Sequence, residues 1–376
     1  MKVQQVELFQ VNMPYLAPFE TSFGVETAKK GWILKVTTTD GLTGWGEWCG
    51  DGPGYSYETE HTAHHILKDY LIPILFKAEI KHPSESVKTF EWVRGHNFTK
   101  ASLEAPLWDI AAQQAGQSLS QFIDAGRGIV KDRVPVGVSI GIQSTTEKLM
   151  ERIAAYAQDG YRRFKLKIKP GRDVGDATAA RANFPDKLLQ VDANSAYTLK
   201  TSRVFKQMDE LSLLLIEQPL GYDDIYEHSK LQPELKTPIC LDESIHTPDH
   251  ARMALELGAC QIINIKQGRV GGLTNAMAIH DICQESDAPV WCGGMLESGV
   301  GRALNVALAS LPNFKLPGDI SASRRYYKED IIDPAFDLNP DGTLSVPTGP
   351  GLGVNVIMER LERVTVHRET LKRDSL

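Results

Sequence analysis

The chain opens on Met1-Lys-Val-Gln-Gln-Val-Glu-Leu-Phe-Gln10, where glutamines and a glutamate break up the apolar residues much as in a half-buried strand. This predicts a strand over Val3 to Val11 and a second over Gly31 to Thr38. Between them, Pro14 to Gly24 reads as a long aromatic loop bracketed by Pro and Gly. A third strand is predicted through Gly44-Trp-Gly-Glu-Trp48, ahead of the glycine-rich stretch 50–55. The period then changes. From Glu58 to Leu75, and again from Ala101 to Gly116, apolar residues recur every three or four positions, which predicts helices. Strands followed by helices without alternation indicate a small α+β domain, residues 1–127.

Beyond Val134 short β-branched runs alternate with amphipathic stretches such as Glu147 to Tyr156. The runs are Val134–Ile140, Phe164–Ile168, Leu188–Asp192, Leu213–Glu217, Pro238–Asp242, Gln261–Lys266, Pro289–Cys292 and a weaker one over Phe314–Ile320. Eight β–α units in about 190 residues fit a compact (β/α)8 barrel. A doubly wound sheet would offer a phosphate-binding Gly-rich turn after its first strand, and none is present.

Composition narrows the function classes. Of 376 residues, 41 are Lys or Arg and 48 Asp or Glu, a net charge of −7 with no basic run, which argues against a nucleic-acid surface. The longest apolar stretches, Leu71–Phe76 and Leu211–Ile216, are too short to span a membrane, and the N-terminus has no signal-peptide core. Five cysteines without a CxxC pair read as reduced core residues, which suggests a cytoplasmic protein.

The informative residues are at the strand ends. Lys165-Leu-Lys167, Asp192, Glu217, Asp242 and Lys266 recur in steps of 25, 25, 25 and 24 residues, counted from Lys167. One full β–α unit per step places them all at the same height, on the C-terminal rim where barrel enzymes keep their active sites. Asp192, Glu217 and Asp242 then converge as an all-oxygen site suited to Mg²⁺, with Mn²⁺ as substitute. Lys165 and Lys167 share one face, and Lys266 stands across the barrel mouth. A cation flanked by lysines suits removal of a proton next to a carboxylate, with the cation stabilising the developing enediolate. The second lysine and the cation should depress the basic lysine from about 10.4 toward roughly 7–8.

Taken singly, an Asp at a strand end is more often a helix cap, and a Lys pair on a strand is more often solvated. Five charges in register within apolar strands are hard to bury without a purpose. Gly137-Val-Ser139-Ile-Gly141 matches a nucleophile-elbow pattern, which needs an acid and then a histidine at later strand ends, but those ends carry Asp, Glu, Asp and Lys, and His280 falls mid-helix. His61, His64 and His65 read as a solvated helix face, and Gly268 to Gly272 as a tight βα turn. A non-catalytic small-molecule-binding barrel would be expected to have lost one of the six charges, and all are present.

These residues resemble the enolase superfamily, whose lysine-base and Mg²⁺ pattern they carry. More closely, Lys165–Gly171, Val191–Leu199, Ile216–Leu220, Ile239–Ser244, Asn264–Gly272 and Trp291–Gly299 resemble the o-succinylbenzoate synthase / N-acylamino acid racemase family. So do the loop Ala17–Gly24 and the late segment Leu316–Ser323. The resemblance implies a modified (β/α)7β barrel at 128–320, with a segment 321–376 returning to an N-terminal cap. It implies Mg²⁺ on Asp192, Glu217 and Asp242, with Lys167 as base, Lys165 tuning it and Lys266 opposite. Phe19, Ser22, Phe23, Ser139, Asn194, Gly294 and Met295 would contact a small-molecule carboxylate, and Gly52 to Tyr55 would act as a second closing loop. The expected reactions are dehydration of 2-succinyl-6-hydroxy-2,4-cyclohexadiene-1-carboxylate to o-succinylbenzoate, on the menaquinone route, and racemisation of N-acyl, especially N-succinyl, amino acids. A homo-oligomer is the expected assembly. The chain departs from the family pattern at Gln267, Arg324-Arg325 and Trp48 to Gly54, all outside the catalytic set.

Overall fold

The computed structural model describes residues 1–21 and 24–375. An antiparallel sheet forms the cap from β1 (Val3–Glu20), β2 (Val25–Thr38) and β3 (Thr43–Trp48), and the C-terminal strand Thr365–Lys372 adds to the free edge of β1. The expected loop over Pro14 to Gly24 is therefore mostly strand. Pairing of β1 with β2 runs to Pro14↔Ala28, shifts register, and resumes at Phe19↔Glu26. The reason is that Pro14 and Pro18 remove two ladder donors without breaking the hairpin, since proline is tolerated where pairing is irregular. Ser22 and Phe23, expected at the substrate, lie outside the described residues.

One face of the cap sheet, with Val6, Leu8, Trp32 and Leu34, packs on α1 (Glu60–Ile66), on the π turn Leu67–Leu71 that follows it, and on α2 (Asn97–Gln114). The Gly44-Trp-Gly46 motif is explained by how closely α2 approaches β3. A Cβ on Gly46 would lie 2.2 Å from the Ser102 carbonyl oxygen, and one on Gly44 2.2 Å from that of Pro106. Pro106 lacks the N–H that would close the helical bond to Ser102, so the Ser102 oxygen is left facing the strand. Asp109 of α2 fastens further parts, accepting the backbone N–H groups of Trp45 and Leu352 at 3.0 Å each.

The second unit is a parallel sheet of β4 (Val138–Ile140), β5 (Arg163–Lys167), β6 (Leu188–Asp192), β7 (Ile216–Glu217), β8 (Ile239–Leu241), β9 (Ile262–Ile265) and β10 (Val290–Cys292), each hydrogen-bonded to the next. Helices alternate with most of these strands and show why the chain periodicity was readable. Thr146–Gln158 is capped by the Thr145 side chain and buries Leu149 and Ile153, four apart, on the barrel. The eighth predicted strand is only partly realised. Phe314 to Asp319 makes isolated parallel bridges to Val290 and Val136, and Gly318 exchanges hydrogen bonds with Pro135 and Gly137. That segment joins β10 to β4 and closes the barrel, although Pro317 keeps it from a regular ladder. All five cysteines are buried and free. No helix among the described residues is long and apolar enough to cross a membrane.

Gly46→Ala is expected to destabilise the protein by about 1–3 kcal/mol, because the new methyl meets backbone that cannot yield cheaply. Urea unfolding followed by circular dichroism checks this, and a wild-type midpoint would contradict the contact.

Candidate active site

Pairing puts Lys167, Asp192 and Glu217 in one hydrogen-bonded row across β5, β6 and β7. The same row continues to Cys240 and then Ile262, so Asp242 lies two residues, and Lys266 four, further along their strands. The expected equal height is therefore not met, because equal spacing along the chain does not mean equal position along the strands. Strands of a closed barrel tilt and shear, so a row of paired residues drifts in height around the rim. The charges nonetheless meet.

Asp192, Glu217 and Asp242 are each fully buried, at 0% exposure. Lys165 Nζ lies 3.1 Å from Asp192 Oδ2, 3.0 Å from Glu217 Oε2 and 2.5 Å from Asp319 Oδ2. Lys167 donates to Asp192 at 2.7 Å and to Asn194 Oδ1 at 2.6 Å. On the far side Lys266 Nζ is 2.7 Å from Asp242 Oδ2 and donates to the Tyr55 hydroxyl at 2.8 Å. Tyr55 in turn donates to Asp242 Oδ1 at 2.9 Å, and Arg269 forms a direct ion pair with the same oxygen. Asn264 donates to Glu217 Oε1 at 2.8 Å, fixing that carboxylate from β9.

Electrostatics follows from burial and neighbours. Burial and the adjacent Asp192 charge hold Glu217 well above the usual carboxylate range, against Lys165. Burial would also raise Asp192, but Lys167 and Lys165 outweigh it and bring it down. Asp242 likewise falls well below its ordinary value, because Lys266 and Arg269 outweigh its burial. Burial would lower Lys165 and Lys266, yet the facing carboxylates hold both above the ordinary lysine value, Asp319 and Glu217 foremost for Lys165 and Asp242 for Lys266. Carboxylates outnumber lysine neighbours around them, and that reverses the sign.

The donor set fits a divalent cation. Three buried carboxylates from adjacent strand ends, without imidazole or thiolate among them, offer hard oxygens, and their mutual repulsion is what a dication relieves. One cavity gathers most of the remaining candidates: Phe19, Ser139, Asn194, Gly294 and Met295 line it together with Lys165, Lys167 and Lys266. From the second loop, Tyr55 enters that cavity, whereas Pro53 and Gly54 line a neighbouring one.

Several neighbours of the charged set leave no signal in the sequence. Asp319, inside the late segment Leu316–Ser323, pairs with both Lys165 and Arg163. Arg269 looked like part of a turn. Glu243, pushed up to about 7 by burial and by Asp242, accepts from Asn194 Nδ2 at 2.9 Å. Its position directly after Asp242 was the only available clue.

The family profile "Enolase C-terminal domain-like" matches residues 148–360, and "Mandelate racemase / muconate lactonizing enzyme, N-terminal domain" matches 3–124. The chain is 48% identical over 364 residues to an o-succinylbenzoate synthase of Geobacillus kaustophilus, covering 96% of each. It is also 48% identical over 368 residues to an N-succinylamino acid racemase of Amycolatopsis sp, covering 97% of this chain and 98% of the relative. Among solved structures, an enolase-superfamily member from Listeria innocua superposes with a TM-score of 0.94 at 41% identity, covering 99% of this chain and 100% of that one.

Millimolar Mg²⁺ is expected to raise the melting temperature of the wild-type protein in a concentration-dependent way, and Asp192→Asn is expected to lose most of that shift. A shift of equal size in the variant, read by differential scanning fluorimetry, would remove Asp192 from the donor set.

Proposed function

We infer the activity from one premise: the chain belongs to the enolase superfamily and, within it, to the o-succinylbenzoate synthase / N-acylamino acid racemase family. The enzymes of this superfamily bind a divalent metal. The reading is a lyase that dehydrates 2-succinyl-6-hydroxy-2,4-cyclohexadiene-1-carboxylate to o-succinylbenzoate, on the menaquinone route. The observation that carries it is a set of three buried carboxylates ion-paired to Lys165, Lys167 and Lys266, lysines from opposite sides that line one cavity.

Asp192, Glu217 and Asp242 would hold the metal, Mg²⁺ with Mn²⁺ able to substitute. When bound, that ion neutralises the charge that gathers on the substrate carboxylate as its α-proton leaves. Lys167 takes the α-proton, leaving an enediolate, and then acts as acid toward the departing hydroxyl, so that water leaves and the ring becomes aromatic. Lys165 lies beside Lys167 on β5 and sets its charge environment. Lys266 supports the anionic intermediate from across the cavity, oriented by Tyr55 and Asp242. Asn194, hydrogen-bonded to Lys167, fixes the position of the base. Substrate choice is assigned to the cap, residues 1–127 with the returning segment 321–376, and to Phe19 and Met295 in particular.

A second reading has its own support. Lys167 and Lys266 line the same cavity, and each is held by a different carboxylate, Asp192 and Asp242. Two lysines placed in this way can exchange a proton at the α-carbon of an N-succinyl amino acid, one removing it from one face and the other returning it to the opposite face. Racemisation passes through the same type of enediolate, so one site serves both reactions.

The deciding assay follows the cyclohexadiene carboxylate spectroscopically with Mg²⁺ and again after EDTA. Turnover that EDTA abolishes is expected. Absence of turnover with Mg²⁺ would retire the dehydration and leave α-proton exchange of N-succinyl amino acids in D₂O as the activity to measure. Lys167→Ala is expected to lower kcat for both reactions by about 10²–10⁴-fold or more, and near-wild-type turnover would sink the mechanism. Asp242→Asn should weaken metal binding and activity together; an unchanged metal titration would contradict its assignment.

A further inference from the structure

Away from the barrel mouth, two imidazoles and a carboxylate meet on the cap. His367 and Glu369 are two residues apart on the C-terminal strand, where they pair with Gln10 and Leu8 of β1, so both side chains leave the same face of the sheet. His64 of α1 covers that face. Its ring stacks on Trp32 with centroids 4.9 Å apart and planes 15° from parallel. His64 Nε2 lies 2.7 Å from Glu369 Oε2, although the two residues are 305 positions apart in the chain. His367 stands edge-on to both rings, 6.2 Å from Trp32 and 6.3 Å from His64. Helical spacing assigned His61, His64 and His65 to a solvated face, and His61 and His65 are indeed exposed. His64 is half-buried and partnered, because the C-terminal strand, invisible to local periodicity, packs beside it.

We propose that His64, His367 and Glu369 form a second metal site, selective for a zinc-class dication. One ligating atom from each of the three lies within 4.8 Å of the other two. Two imidazole nitrogens and one carboxylate oxygen suit Zn²⁺, whereas Mg²⁺ demands oxygen ligands, so the two centres of this protein differ in chemistry. Bonds of about 2.0–2.2 Å to one ion require the three atoms to draw together. Small rotations of His367 and Glu369 supply this at a partly exposed site, while Trp32 keeps the His64 ring in plane. Three protein ligands leave a fourth position for water. The ion would tie the last strand of the chain to the first helix of the cap. Lys68, one turn beyond His64, is the internal competitor, since its Nζ lies 2.6 Å from Glu369 Oε1 and opposes a second positive charge there.

The test is a calorimetric Zn²⁺ titration of the full chain in excess Mg²⁺, repeated on His367→Ala, Glu369→Gln and Lys68→Ala. A double variant, Asp192→Asn with Glu217→Gln, marks any Zn²⁺ that enters the barrel mouth. One Zn²⁺ per chain is expected in the wild type and in that double variant. Affinity should fall by at least about tenfold in His367→Ala and Glu369→Gln and should rise in Lys68→Ala. His367 is exposed, so its variant is expected to fold, with a wild-type circular dichroism spectrum as the check. Zinc should raise the melting temperature of the wild type and not that of His367→Ala. Absence of zinc binding, affinity unchanged in folded His367→Ala, or binding lost in a double variant that keeps the wild-type circular dichroism spectrum would each overturn the proposal.

Discussion

The structure depends on how it keeps three carboxylates in the dry end of a barrel. Asp192, Glu217 and Asp242 have no exposure, and removing a carboxylate from water costs several kcal/mol unless charge and hydrogen bonds compensate. Compensation comes from every side: Lys165 and Lys167 from β5, Lys266 and Arg269 from the end of β9, and Asn264 from β9 itself. Asp319 then balances Lys165 and Arg163 from the closing segment of the barrel. Removing one member leaves another buried charge unmatched. The same arrangement sets the three carboxylates against the lysines that line the cavity.

The cap takes part in that balance as well as covering it. Tyr55, from its second loop, bridges Lys266 and Asp242, so the loop and the two charged groups adopt one geometry together. Glu47 of β3 accepts from the backbone of Ser298 and Gly301, at the N-terminus of the helix Gly299–Ala309, where the helix dipole favours a negative charge. Lys29 of β2 donates to the Met295 carbonyl at 2.9 Å and to Asp51 at 2.9 Å. Met295 lines the cavity shared with Lys165, Lys167 and Lys266, so this buried lysine couples the cap sheet to that wall of the barrel. A change in the cap is therefore transmitted to the residues around that cavity.

The return of the chain to its beginning is the third constraint. The C-terminal strand completes the edge of the cap sheet, and Asp109 holds Trp45 and Leu352 on one carboxylate. Residues far apart in the chain thus share single side chains, which makes the cap and its barrel contacts one connected structure. The His64–Glu369 pair belongs to the same seam.

The sequence by itself determined the barrel, the acid–lysine set and the family, because each is written locally. A repeating β–α unit leaves a period, strand-end charges recur at that period, and the motifs are continuous. Only the tertiary structure decided what depends on closure. Barrel shear moved Asp242 and Lys266 off the row of Lys167, and the carboxylate excess held Lys165 and Lys266 above the ordinary lysine value. Prolines that read as a loop became strand because β2 was there to pair with them. Tyr55, Arg269 and Asp319 gained their contacts from partners up to 211 residues away, and pairings at that range leave no trace in spacing. They arise only when the sheet closes and brings the rim together.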